Sequence, residues 1–400
     1  MKITRTIVAA ALATAAGLAS MTVTAADAIT IGEINSYSRL PAFLDPYRKG
    51  WELAVEEINN AGGIKGRKLE VIARDDGGKP GDAVKIAEEL VNRDQVTMIA
   101  GTFLSNIGLA VTDFAKQNKT FFLAAEPLSD AIVWSSGNRY TFRLRPSTTM
   151  QAAMLAKEAQ KTGAKKWATV APNYAYGKDA VAAFKSELLK LVPDAEFIEE
   201  QWPTVFKIDA GSTVRALEAS KPEAIFNVTF GGDLAKFVRE GNLRGLFEGR
   251  TVVSLLSGEP EYLEPLKDEA PEGWIVTGYP QGAIEEAAHQ KFYAAYEAKW
   301  GEAPKLGSIV GYNLIASIEA LFQKAPADDA ETLVDTMENL NVSSPSGDFI
   351  FRKQDHQATM GTWVGRTAVV DGKGVMVDWF YADGSDYQPS DEEVMKLRPE

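Results

Sequence analysis

Along the chain, short apolar runs alternate with stretches in which apolar residues recur every third or fourth position. "ITIGEIN" (29–35) reads as a strand, and 46–61 as mostly helix, with Trp51, Ala54, Val55 and Ile58 on one face and Glu52, Glu56 and Glu57 on the other. Leu69, Val71, Ile72 and Ala73 then mark a largely buried strand. A helix over 81–93, a strand over 96–102, a helix over 106–117 and a strand over 121–126 follow. This alternation predicts βαβ units, hence a mainly parallel sheet with helices on both faces.

A second round starts at "YTFRLRPSTT" (140–149). Helices are expected over 150–162 and 177–191, and strands over 167–172, 196–202, 224–229, 252–257 and 274–280. Three long helical patterns, 285–300, 307–323 and 330–340, have no strand between them, and strand character returns after Gly347. Two α/β rounds, a helical block and a late return to strands predict two Rossmann-like lobes linked more than once. The default binding site of such an arrangement is the cleft between the lobes.

The glycines of "EEINNAGGIKGRKLEVIARDD" (56–76) follow a helix and precede a strand. A phosphate cradle needs the opposite order, because its amide donors lie at a helix N-terminus. Gly62 or Gly63 is therefore expected to end the helix in the left-handed conformation.

The first residues change the picture most. Lys2 and Arg5 precede an apolar run from Ile7 to about Ala19, followed by small residues; Val23-Thr24-Ala25 and Ala26-Asp27-Ala28 both fit a small-x-small cleavage site. Residues 1–28 are read as a secretory signal cut near 25–28, which places the mature chain in the periplasm. The run is too short and alanine-rich for a membrane anchor. The chain has 400 residues, 45% of them hydrophobic and 24% charged, enough for two globular domains without low-complexity tracts. A net charge of −13 argues against nucleic acid and anionic membranes as partners. With no cysteine there is neither a disulfide framework nor a thiol nucleophile.

An extracytoplasmic hydrolase would need a nucleophile and a base. No G-x-S-x-G elbow occurs, and "GSIVG" at 307 and "SPSGD" at 344 do not match one. Of the two histidines, His289 falls in a helical run and is expected on its surface, and His356 has only Asp355 beside it. Neither has zinc-site spacing. No catalytic residue, metal or cofactor is assigned. More coherent candidates lie just past the carboxyl ends of the expected strands: 36–43, 102–106, 124–127, 173–176, 230–233, 257–261 and Tyr279. They bring aromatic rings, hydroxyls and amides, and the carboxylates Glu126 and Glu259, a wall suited to a small, partly apolar solute with a polar head. Helix N-termini after Ser105 and Tyr176 would offer amide donors to a carboxylate.

From about Ala28 to Ala382 the sequence resembles the periplasmic leucine/isoleucine/valine-binding proteins that serve ABC importers. The resemblance rests on "GWELAVEEINNAGGIKGRKLEVIARDDGGKPGDAV", "MIAGTFLSN", "YTFRLRPSTTMQAA", "NYAYGKDAVAAF" and "FGGDLAKFVRE" together. It implies the type I periplasmic-binding-protein fold, two lobes with parallel-rich sheets joined by three crossovers near 145, 280 and 346. The lobes would comprise 29–145 with 281–345, and 146–280 with 346–400. It also implies a monomer, not an enzyme and not membrane-embedded, that hands a small carboxylate solute to ABC permease subunits. By the resemblance Ser105 holds the ligand carboxylate, Tyr176 is the tyrosine of "YGKD", and Phe43 is the first-loop aromatic. Leu128 stands where a threonine is expected and Asp233 where a tyrosine is expected, so the ammonium half of the site departs from the family pattern. Glu259 is the candidate partner of a ligand amine, with Asp233 and Glu126 as further carboxylates. Phe103, Asn106, Ala125, Phe230 and Tyr279 complete the expected ligand-binding set. The solute is an amino acid or, alternatively, an aromatic carboxylate of the benzoate or phenylpropanoid type.

Overall fold

The computed structural model describes residues 28–398. The expected export signal lies outside the described residues up to residue 27. Strands β1 (Ile29–Asn35), β2 (Leu69–Asp75), β3 (Met98–Gly101), β4 (Phe122–Ala124) and β5 (Thr141–Arg143) form one sheet in the order β2-β1-β3-β4-β5. Every pairing in it is parallel. Helices α1 (Pro41–Asn60), α2 (Pro80–Asn92) and α3 (Ser105–Asn118) connect its strands. Their length and amphipathic pattern let each bury one face on the sheet, as a parallel crossover requires.

Helix α4 (Thr148–Ala159) opens the second lobe, capped by Ser147, whose side chain accepts from the Met150 amide at 3.1 Å. Strands β6 (Lys166–Val170), β7 (Glu196–Gln201), β8 (Ala224–Asn227), β9 (Thr251–Gly258) and β10 (Ile275–Gly278) follow. Between them run helices α5 (Ala175–Leu191), α6 (Ala210–Ser220), α7 (Gly231–Arg244) and the single turn α8 (Pro260–Leu263). Helices α9 (Ala287–Trp300), α10 (Leu306–Lys324) and α11 (Ala330–Met337) then return to the first lobe. A hairpin of β11 (Asn341–Ser344) and β12 (Gly347–Ile350) precedes β13 (Thr362–Val370), β14 (Lys373–Ala382) and the terminal helix α12 (Asp391–Leu397). The second sheet runs β14-β13-β10-β9-β8-β6-β7, parallel from β10 to β7 and antiparallel at β13 and β14.

The first crossover passes through Arg145, and the second through Tyr279. The third comes later than the 346 expected from sequence. Residues 356–358 still run beside β5, with the Arg143 amide donating to His356 O at 3.0 Å and the Ala358 amide donating to Arg143 O at 2.9 Å. Buried Arg143 ties the first and third crossovers together by donating to Gln357 Oε1 at 2.6 Å and to the carbonyls of Leu128 and Ser129. Burial holds its pKa down, to about 10, against the nearby Asp130, Asp355 and Asp179. The glycine loop is a turn, as its order implied: Gly62 and Gly63 have φ of 102° and 77°. Of the two histidines, His289 departs from the surface position expected of it. His289 is fully buried, its Nε2 2.5 Å from the Tyr279 hydroxyl, because its side of α9 packs against the second crossover. His356 is stacked on Phe142 with ring centroids 3.8 Å apart.

Helices α1 and α10 meet through glycine. A Cβ on Gly311 would lie 2.1 Å from Tyr47 O, and one on Gly307 would lie 2.5 Å from Phe43 O. This close approach fixes the start of α1, and with it the buried Phe43, which packs against Phe103. Gly311→Ala is expected to lower stability by about 1–3 kcal/mol, the usual cost of overpacking, read as a reduced denaturant midpoint at unchanged slope. An unchanged midpoint would mean that the helices separate freely.

On β1, Glu33 is buried and accepts from Tyr37 Oη at 2.7 Å and Asn35 Nδ2 at 3.2 Å. Burial outweighs these bonds and pushes its carboxyl from 4.5 up to about 8. The unfolded chain therefore binds fewer protons than the folded one across that window, and this contribution to stability is lost as pH rises through it. The loss is on the order of a few kcal/mol. Glu33→Gln is expected to flatten the decline of melting temperature between pH 4.5 and 8; a decline as steep as in the wild type would assign it to other groups.

Candidate functional site

In both sheets the strand order reverses at an internal strand, β1 in one and β6 in the other, and loops at such switch points form a crevice. Here the two crevices face each other. Phe103, Ser105, Glu126 and Leu128 of the first lobe, Tyr174, Tyr176, Phe230 and Leu256 of the second, and Arg145 of the first crossover surround a cavity of about 20 Å³. That is room for about one water molecule. The lobes touch around it: the Ser129 hydroxyl donates to Asp179, and the Arg39 guanidinium lies 4.3 Å from the Phe206 ring centroid.

The aromatic residues form a row across the cleft. Phe43 meets Phe103 edge-on at 4.9 Å, Phe103 lies 6.3 Å from Phe230, and Phe230 meets Tyr176 edge-on at 5.9 Å. Such spacings are within the favourable range for ring pairs. Thr102 and Leu256, at the strand ends that aim this wall, have φ of 62° and 65°. For a β-branched threonine that is a strained backbone, of the kind that concentrates at functional sites at a cost of about 1–3 kcal/mol.

The polar floor is built on Arg145. Its guanidinium donates to Glu126 Oε2 at 3.0 Å and to Glu259 Oε1 at 2.9 Å, and the three side chains are between 0% and 5% exposed. Glu126 comes from the first lobe and Glu259 from the second, so one cation on a crossover joins both. Each glutamate leaves its other oxygen, Glu126 Oε1 and Glu259 Oε2, buried without a partner, and the Tyr176 hydroxyl is likewise unpartnered. Burial pushes both carboxyls up, to about 7 for Glu126 and about 8 for Glu259, and Arg145 offsets only part of that. The two glutamates conversely hold Arg145 above its ordinary value. With two acids around one cation, the floor carries an excess of acceptors and, when both are ionised, one negative charge.

Donors collect at the opposite wall. Ser105 begins α3, and its Oγ accepts from the Ser129 amide at 3.2 Å, leaving its own hydroxyl proton to donate. The first-turn amides of Ser105 and Asn106 have no intrahelical acceptor, so with the helix dipole behind them they are suited to donate to an anion. Asn106 Oδ1 is buried without a partner.

Of the residues singled out from sequence, Phe103, Ser105, Glu126, Tyr176 and Phe230 line the cavity, while Phe43 packs behind Phe103 and Glu259 behind Arg145. Ala125 is buried in the backbone beneath it, its amide bonded to Gly101 O at 2.8 Å. Two candidates are placed elsewhere. Asp233 caps a neighbouring turn, accepting from the Ile208 amide at 3.3 Å, so its carboxylate is spent on the backbone. Tyr279 turns away to pair with His289. Tyr176 lies inside the first turn of α5, which begins at Ala175, rather than before it. Tyr174, within the 173–176 segment expected at a strand end, lines the cavity as well, whereas Arg145 and Leu256 were not foreseen. The signal for Arg145 was its place in "RLRPS", two residues beyond β5, where a charge interrupts an otherwise buried segment.

The periplasmic binding protein family model matches residues 28–373. The Leu/Ile/Val-binding protein homolog 7 of Brucella melitensis is 26% identical over 376 residues, covering 88% of this chain and 92% of its own. Two solved structures share the fold. The solute-binding protein of an ABC transporter from Rhodopseudomonas palustris BisB5, in complex with 3,4-dihydroxybenzoic acid, has a TM-score of 0.80 at 23% identity, covering 89% of this chain and 98% of that one. The leucine-, isoleucine-, valine-, threonine- and alanine-binding protein from Brucella ovis, in a closed conformation, has a TM-score of 0.79 at 19% identity, covering 91% and 97%. Two parallel-rich lobes meeting at a solute-sized crevice thus accord with a match over most of the sequence: the chain belongs to the periplasmic binding protein family, as a solute-binding protein of the Leu/Ile/Val-binding type.

Proposed function

We propose that this protein captures an α-amino acid in the interlobe cleft, in the periplasm, and presents it to the permease subunits of an ABC importer. One observation carries the ligand reading: Arg145 is shared by two buried glutamates, each with an oxygen left unsatisfied. An ammonium is the group that would satisfy both oxygens and balance the negative charge that the floor carries once both glutamates ionise against it, since a buried unpaired charge is costly. The ligand carboxylate would then accept from the Ser105 hydroxyl and the first amides of α3. The aromatic row suits an apolar side chain of moderate size.

A second reading has its own support. The same row would hold a flat ring, and the similar protein from R. palustris is in complex with a dihydroxybenzoic acid. The two readings differ in protons. At pH 7 Glu259, pushed up to about 8, holds a proton. An arriving ammonium lowers that pKa, so binding should release up to about one proton; a phenolic acid brings no cation and should release none.

Calorimetry in buffers of different ionisation enthalpy reads this directly. For leucine-like ligands, proton release at pH 7 that fades above pH 8 is expected, together with a loss of at least about 30-fold in affinity in Glu259→Gln, from 2 kcal/mol or more for one partner of a buried charge pair. Binding of amine-free acids alone, without proton release and unaffected by Glu259→Gln, would replace the amino-acid reading by the aromatic one.

Export is read from Lys2, Arg5, the apolar run and the small-residue exit. The mature chain is expected to begin between Ala26 and Ile29 in a periplasmic extract, by N-terminal sequencing; intact chain retained in the cytoplasm would overturn this.

A further inference from the structure

A second, much larger cavity of about 760 Å³ lies beside the cleft, within the range of small-molecule sites. Three parts of the chain enclose it. The second lobe contributes α8 and the turn between β13 and β14, the second crossover contributes Tyr279 to Ala283, and the first lobe contributes Tyr293 and Ala303. That α9 and the loop after it belong to the first lobe follows from the Lys299–Glu56 and Lys49–Glu302 ion pairs, at 2.5 and 2.6 Å, and from the Phe292–Tyr312 ring contact. The cavity is therefore interlobar, like the cleft. One short segment serves both: Glu259 reaches Arg145 in the cleft, and Pro260 and Leu263 wall the second cavity.

Its chemistry differs from that of the cleft. Pro260, Leu263 and Met376 are buried apolar walls. Lys267 and Lys373 stand exposed at the rim with no ion-pair partner among the described residues, whereas the lining acid Glu264 is paired with Lys305 at 2.5 Å. Asp371 is the one other lining acid, so unpaired cations outnumber unpaired anions two to one, on a chain of net charge −13. Between wall and rim, the amide nitrogen of Gln281 donates to Glu264 Oε1 at 3.3 Å, while Gln281 Oε1 is buried without a partner. An apolar chamber with a basic rim and one orphaned acceptor matches one class of molecule: a compact apolar body carrying an anionic head and a hydrogen-bond donor.

We propose that this cavity is a second small-molecule site, separate from the solute cleft, that takes an amphipathic organic anion. The apolar body lies against Leu263 and Met376, the head group meets Lys267 and Lys373, and a ligand N–H or O–H donates to Gln281 Oε1. Because both lobes wall it, an occupant contacts both, and binding favours the arrangement that brings them together. The proposal does not depend on which solute the cleft takes.

Anilinonaphthalene sulfonate has the required apolar body, anionic head and N–H, and serves as the probe in fluorescence titrations of the mature protein. Wild type is expected to bind it saturably at one site. The double variant Lys267→Glu/Lys373→Glu, altered only at exposed positions, is expected to bind about tenfold more weakly or worse, as the reversal of two rim charges would produce. Leu263→Trp, which fills the apolar end, should abolish the saturable phase, with circular dichroism checking its fold. Phe103→Ala, in the cleft, should leave the dye affinity unchanged. The proposal is overturned if wild type shows no saturable phase, if the charge-reversed variant binds as well as wild type, or if Phe103→Ala removes the binding.

Discussion

Arg145 is the constraint on which the site is organised. It stands on the first crossover, between a glutamate from each lobe, in a place where none of the three charges has water to solvate it. Breaking such an arrangement by removing one member leaves an uncompensated buried charge and costs about 3–5 kcal/mol. The lobes are thus tied at their common floor by charge, while the aromatic row from Phe43 to Tyr176 joins them above it by contact. A solute that enters between these layers replaces ring-on-ring contact with its own apolar surface and supplies the donor that the glutamates lack.

The surrounding fold can be understood as what keeps this floor dry and in place. Arg143, two residues earlier, locks the first crossover to the third through Gln357 and the carbonyls of Leu128 and Ser129. At the C-terminus, Arg398 donates to the carbonyls of Val133, Asp355 and Asn138, holding the end of the chain against the first lobe. On the opposite flank Glu261 of the second lobe accepts from the Gly307 amide at 2.7 Å, capping the N-terminus of α10 in the first. Burial pushes that carboxyl up to about 7, so the contact between lobes and the charge state of the floor respond over the same range of pH.

A solute enters a cleft between two lobes only if the lobes part, and the segments that join them are where the chain can bend. Both sheets are parallel-rich and covered by helices, which makes each lobe one packed unit. The three crossovers alone can absorb a rotation, and hinge bending at a few such residues is the usual mode of closure. Strain at Thr102 and Leu256 sits at the cleft faces of the two lobes, not in the crossovers. It aims side chains and leaves the hinges free.

Sequence by itself determined the architecture. The spacing of apolar residues placed β1 over 29–35 and the βαβ succession that follows, because periods of two and three to four are imposed by the backbone whatever the partner. The order helix–glycine–strand settled Gly62 and Gly63 as a turn, since a helix leaves its amides free at its N-terminus and carbonyls at its C-terminus. Strand ends gave Phe103, Ser105, Glu126, Tyr176 and Phe230, because loops at those ends converge in any open parallel sheet. What the tertiary structure alone decided was how charges pair. Glu126, Arg145 and Glu259 are separated by 19 and 114 residues, and no local pattern brings them together. The same holds for His289, whose helical run reads as surface until the second crossover packs on it, and for Asp233, which turns to an amide at Ile208. Local sequence encodes the direction of the backbone, but the partner of a buried charge is set by long-range packing, where the cost of leaving it unpaired is paid.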